Sequence, residues 1–177
     1  VEELDVTPTE VFFVPWPLDL RGLSIIADLP REDLQLPTLV PRTATGLVSV
    51  ESASAPHVME AMRKGDVLLH HPYDSFSTSV QLFLQQAAVD PQVLAIKQTL
   101  YRAGKQSAVI NALIAAAENG KAVTAVVELK ARFDEATNVG WAKALERSGV
   151  HVVYGLVGLK THAKCTLVVR ADDDGLR

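Results

Sequence analysis

From residue 66 onward the chain alternates three times between an apolar, strand-like run and an amphipathic helical segment, with connections of only a few residues. The expected strands are Asp66–His71, Val93–Thr99 and Ala122–Leu129, followed by Val150–Tyr154 and His162–Arg170. Asp74, Ser75 and Ser77 can cap a first helix whose stripe is Val80, Phe83, Leu84, Ala87 and Ala88, stopped by Asp90-Pro91. Ser107 opens a second with Val109, Ile110, Leu113, Ile114 and Ala117 inward, closed by Asn119-Gly120. Asp134 opens a third that runs to about Ser148, with Gly149 beyond it. A short helix, His57–Lys64, precedes this series, with Pro56 in its first turn and Gly65 closing it in left-handed geometry. Such an order predicts right-handed β-α-β crossovers and the α/β class, with a largely parallel sheet covered by helices. Ala122–Leu129 is nearly all apolar, as a strand buried on both faces should be.

Residues 1–56 are a different material. Seven of the nine prolines lie there, and hydrophobic periodicity is hard to sustain. One short helix is expected from Asp19 to Asp28, with Leu20, Leu23 and Ile26 as its stripe. The reading is the end of a preceding domain plus a linker (1–56), then an incomplete α/β domain (57–177). The chain opens without Met, and Ala171–Gly175 has hairpin-turn chemistry with no return strand, so a piece of a longer polypeptide is expected.

A net charge of −4 makes the molecule no polycation, so affinity for a polyanion must come from a local cluster of cations. Cys165 is the only cysteine, which excludes an internal disulfide and a cysteine-based zinc site. Its place in an apolar run predicts a buried, inert thiol. No apolar run approaches membrane-spanning length, and no aromatic-basic interleaving points to nucleic acid.

In an open α/β sheet, ligands sit outside the carboxyl ends of the strands. Three such ends carry polar residues here: His70–Ser75, Lys97–Arg102 and Glu128–Glu135. Arg102 and Arg132 stand at corresponding places, each just before a helix N-terminus, and guanidinium forks there suit phosphate oxygens. Either alone could equally be a solvent-facing loop charge. His70 and His71 are neighbours on a strand and point apart, so they cannot chelate one ion, and structural roles are expected for both. Tyr101 and Phe133 flank the arginines, and packing is the expected role of each. His162 and Lys164, two apart at a strand start, are expected to share a face. Neutral imidazole then supplies a nitrogen nucleophile and the ammonium supplies charge to phosphate oxygens. The ordinary alternative is a hydrogen-bonded His beside a solvated Lys.

Four blocks together carry more than any one: Leu68–Phe76, Ile96–Arg102, Lys130–Glu135 and Gly158–Lys164 (GLKTHAK). In order and spacing they resemble the polyphosphate kinases that autophosphorylate on histidine, over residues 60 to 170. The resemblance implies a phospholipase-D-like fold and the first of two such C-terminal domains, here truncated. It implies ATP (or ADP) and inorganic polyphosphate as substrates, and Mg²⁺ as cofactor. The remaining domains of a longer enzyme are the implied partners, in a homo-oligomer, with cytoplasmic localisation at or away from a membrane surface. By position, His162 matches the phosphorylated histidine, Arg102 and Arg132 match the pair at the Mg²⁺-phosphate site, and Lys164 would neutralise transferred charge. Guanidinium cannot ligate a cation, so these arginines are expected to hold phosphate oxygens that the metal bridges. Phospholipase D enzymes place Asp where this chain has Val169, which weakens a phosphodiesterase reading. A non-catalytic polyanion-binding module is the other alternative. The 177 residues alone are expected to bind phosphate weakly and to make no polymer.

Overall fold

The structure is a computed structural model, and it describes residues 3, 5–15, 19–48, 57–102, 107–128, 135–155 and 157–177. It divides into two compact units, Val1–Leu39 and Val40–Arg177.

Among the described residues of the first unit the proline-rich sequence yields short turns, because Pro removes backbone donors and fixes φ. Single 3-10 turns span Pro8–Glu10, Leu20–Leu23 and Glu32–Leu34. The expected helix at 19–28 is shorter and tighter than its stripe suggested. Asp19 does cap it, accepting from the Arg21 amide at 3.0 Å, but a 3-10 turn passes into one α-turn, α1 (Ser24–Ala27). Leu20, Ile25, Ile26 and Leu36 remain exposed, as does Phe13 at 96%.

In the second unit, α2 (Val58–Lys64) forms as expected, with the His57 imidazole accepting from the Glu60 amide at 3.3 Å. Gly65 then has φ 160°, which is extended backbone, not the left-handed cap. The expected strand at 66–71 does not form. Asp74 Oδ2 takes the His70 amide at 2.8 Å, and the His71 ring donates from Nδ1 to the Asp74 carbonyl at 2.8 Å. Pro72, after a cis peptide, has no amide to offer a ladder. The segment closes as a turn, and both histidines serve it structurally. A π-turn over Ser77–Gln81, opened by the Ser75 hydroxyl on the Thr78 amide, leads into α3 (Leu82–Val89).

The sheet is built from β1 (Val93–Leu100), β2 (Ala122–Val127), β3 (His151–Val153), β4 (Thr166–Asp172) and β5 (Gly175–Leu176), in the order β3-β2-β1-β4-β5. β1, β2 and β3 are parallel, joined through α4 (Ala108–Glu118) and α5 (Glu135–Arg147). β4 lies antiparallel on the other side of β1, and β5 returns against β4. The hairpin at 171–176 therefore does have a return strand, two residues long, with Gly175 at φ 125° where a side chain would be strained. β4 begins at Thr166, four residues later than His162, so the shared-strand-face argument for His162 and Lys164 does not hold.

Ile96, Leu100, Val123, Ala125 and Val127 form one face of the sheet, packed on Leu84, Leu113 and Leu145 from α3, α4 and α5. On β2 burial alternates, and Thr124 and Val126 on the opposite face are only half-buried. The reading of β2 as buried on both faces is corrected accordingly: among the described residues the helices lie against one side. Leu113 is 0% exposed at the centre of this core. Leu113→Ala is expected to lower stability by about 2–5 kcal/mol, the transfer and cavity cost of a fully buried leucine. The check is the denaturant midpoint of the domain transition, and a shift no larger than that of an exposed Leu68→Ala control would contradict the packing.

An ion-pair network holds the opposite end of the sheet. Arg63 of α2 and Arg170 of β4 both donate to Asp172, and Arg170 Nε reaches Asp90 Oδ2 at 2.8 Å. Burial pushes the Asp90 carboxyl up. The Arg170 hydrogen bond, the Gln92 amide, and the charges of Arg170 and Lys121 outweigh it and hold the group below the ordinary aspartate value. A carboxyl depressed in the folded state gives stability that is complete above its unfolded pKa and lost as pH falls through the folded value. Stability of this domain should therefore decline as pH falls below the ordinary carboxylate range, and Asp90→Asn should make that decline shallower in acid-unfolding curves.

Candidate active site

β4 runs against β1 with Thr166 opposite Gln98 and Leu167 opposite Lys97. Its amino-terminal entry therefore lies at the same sheet edge as the carboxyl end of β1. Two polar residues at the end of β1 fasten that entry. The Thr99 amide donates to the Cys165 carbonyl at 3.1 Å, and Thr99 Oγ1 accepts from the Cys165 amide at 2.9 Å. Gln98 Nε2 also donates to the Cys165 carbonyl, while its Oε1 accepts from the Thr166 hydroxyl. Cys165 is consequently held by its backbone, and its thiol is exposed, not buried as its apolar neighbours suggested.

At this edge the Tyr101 ring, half-buried just past β1, is the meeting point of three of the candidate side chains. The His162 imidazole stands edge-on to it, with ring centroids 5.3 Å apart and planes at 74°. Lys164 Nζ lies 4.4 Å from its centroid and Arg102 Cζ 5.5 Å. Lys164 Nζ also donates to the carbonyl of His162. Arg102, His162 and Lys164 are all exposed to solvent. Arg102, Lys164 and Tyr101 line a hollow of about 770 Å³ that also takes in Ser107 at the start of α4. The site thus presents two cations and an imidazole toward open space. Arg132, with Phe133 and Asp134, lies outside the described residues.

Two buried polar residues brace this arrangement, and the sequence reading gave neither a role. Asn138 of α5 is 1% exposed, and its Nδ2 donates to both the Tyr101 carbonyl (3.0 Å) and the Glu128 carbonyl (2.8 Å). It ties the ends of β1 and β2 together. Glu128, 8% exposed, accepts the Thr161 amide on Oε2 at 2.9 Å, one residue before His162. The available signals were a carboxylate ending an apolar strand and an amide on the inward side of a helix. Each is weak, because both depend on contacts 33 to 37 residues away in the chain.

The donor set suits phosphate, not a bare cation. Guanidinium and ammonium groups repel metal ions, and among the described residues no group of three or more His, Cys, Asp or Glu side chains is placed to hold one. No described helix is long and apolar enough to cross a membrane.

A family model, the polyphosphate kinase C-terminal domain 1, matches residues 57–177. The polyphosphate kinase of Streptomyces coelicolor is 59% identical over the whole chain, and that of Mycobacterium avium 57%. The chain covers 24% of each of these relatives. Among solved structures, the polyphosphate kinase of Porphyromonas gingivalis superposes with a TM-score of 0.70 at 35% identity, over 94% of this chain and 24% of that one.

Proposed function

Because the chain belongs to the polyphosphate kinase family, through C-terminal domain 1 over residues 57–177, we infer that it is part of an enzyme that moves the terminal phosphate of ATP reversibly onto inorganic polyphosphate. The observation that carries this reading is the convergence of His162, Lys164 and Arg102 on one ring at the carboxyl edge of a phospholipase-D-like sheet. A neutral imidazole nitrogen of His162 attacks the terminal phosphorus, and the bond from that phosphorus to the bridging oxygen of ADP breaks. The terminal oxygen of a polyphosphate chain then attacks the phosphohistidine and restores the imidazole. Such transfer depends on positioning and charge more than on covalent chemistry. Arg102 and Lys164 hold and neutralise the phosphoryl oxygens, and Arg132 is assigned the same task from its place after β2. Mg²⁺, when bound, would be held through the phosphate that Arg102, Arg132 and Lys164 grip and would supply further positive charge there.

Residues 1–56 then close the preceding domain of the intact protein and residues 57–177 form part of its first C-terminal domain. The other domains supply the nucleotide contacts, and the whole is a homo-oligomer. The 177 residues by themselves bind phosphate weakly and extend no polymer. The test is exposure of the full-length protein to terminally labelled ATP with Mg²⁺. Label that is acid-labile, base-stable and chased into polymer by polyphosphate is the expected result. Hydrolysis of a phosphodiester without nucleotide, and no labelled protein, would overturn it.

A further inference from the structure

We propose that Tyr101 is a positioning residue, whose ring face holds the Lys164 ammonium and whose face and edge contacts fix the swing of the His162 imidazole for phosphoryl transfer. The inference rests on His162 and Lys164 acting as assigned above, and it concerns a residue with no part in that assignment.

Three observations carry it. First, the contacts on the ring are of specific kinds. An ammonium at 4.4 Å lies well inside the range of about 6 Å over which a ring face attracts a cation. An imidazole at 5.3 Å and 74° is in the edge-to-face arrangement that aromatic quadrupoles favour. Second, the backbone that carries the ring is fixed. The Tyr101 carbonyl is hydrogen-bonded by Asn138, which is 1% exposed and also grips the Glu128 carbonyl. Glu128 in turn holds the Thr161 amide, next to His162. Tyr101 and the approach to His162 thus hang from one buried frame. Third, Lys164 is tethered at both ends of its reach. Its neighbour Cys165 is fastened to Thr99, and its Nζ bonds the His162 carbonyl while resting on the ring. Without a π face at position 101, the ammonium keeps, among the described residues, the His162 carbonyl, and the imidazole loses its lateral wall. Both groups are otherwise exposed to solvent, where a long lysine stem samples many rotamers.

Misplacement of a reacting group by about 1 Å can lower a rate roughly 100-fold. In the full-length protein, Tyr101→Phe keeps the face and should label His162 within about threefold of the parent rate. Tyr101→Leu removes the face and should reduce kcat by about 10- to 100-fold, with KM for ATP within about threefold, because the contacts are to enzyme groups and not to substrate. Fluorinated phenylalanines at position 101 weaken the ring face at nearly constant shape. The labelling rate should fall stepwise with fluorine number while the melting temperature stays level, a pattern that packing alone does not give.

Equal rates for the Phe and Leu variants, a raised KM with unchanged kcat, or a flat fluorine series would each overturn the proposal. Loss of activity in Tyr101→Phe would overturn it too, by assigning the role to the hydroxyl. Where Tyr101→Leu fails to fold, the fluorine series decides. Persistence of label in His162→Ala would instead remove the underlying phosphohistidine reading, so the two failures are distinguishable.

Discussion

His162→Ala in the full-length protein is expected to abolish the acid-labile label and to lower polyphosphate synthesis by roughly 10⁴-fold or more, as loss of a nucleophile does in covalent catalysis. Arg102 and Lys164, the other two side chains on the Tyr101 ring, are assigned to hold phosphate oxygens and not to attack phosphorus. Because the remaining cations stay in place, binding of ATP should change far less than turnover. The measurements are single-turnover labelling and equilibrium nucleotide binding on the same preparation. Undiminished labelling would move the covalent step to another residue, and a parallel loss of both would point to a collapsed site.

Arg102→Ala is expected to lower kcat by about 10²–10³-fold, the scale on which a single donor or arginine matters to a developing phosphoryl charge. Arg102→Lys should recover only part of this. A compact ammonium restores the charge but not the planar fork that meets two oxygens at once. Steady-state kinetics at fixed Mg²⁺ make the comparison, together with melting temperatures that separate catalysis from folding. If lysine restored full activity, charge alone would suffice, and the bidentate role assigned to Arg102 would be wrong. If alanine changed KM alone, Arg102 would serve ground-state binding.

The elements most legible in the sequence were those whose signals are local. Ser107 caps α4 by accepting the Ile110 amide, and the stripe through Ile110 and Leu113 is buried as its period requires. Val93–Leu100 and Ala122–Val127 form parallel strands almost at the expected bounds. The misreadings share a cause. Asp66–His71 has strand-like residues, yet the Asp74 carboxylate and Pro72 turn its end away from any ladder. Cys165 sits among apolar neighbours, yet it lies at the mouth of β4, ahead of the packed part of the strand. Alternation of polarity identifies what a segment can become. It does not identify which edge it reaches or what lies across from it.

The candidate site divides in the same way. His162, Lys164 and Arg102 could be singled out from residue type, spacing and likeness to a family, because imidazole, ammonium and guanidinium bring their chemistry wherever they stand. Their meeting on Tyr101 could not, and neither could the support from Asn138 and Glu128. Had β4 joined the sheet parallel to β1, His162 would have emerged at the amino edge, far from Arg102. The antiparallel register that pairs Thr166 with Gln98 prevents this. The linear chain determined which reactive groups were available and which helices and strands would carry them. Only the tertiary structure decided that they face one another, since strand direction is set by pairing and packing between segments nearly 70 residues apart, beyond the reach of any local pattern.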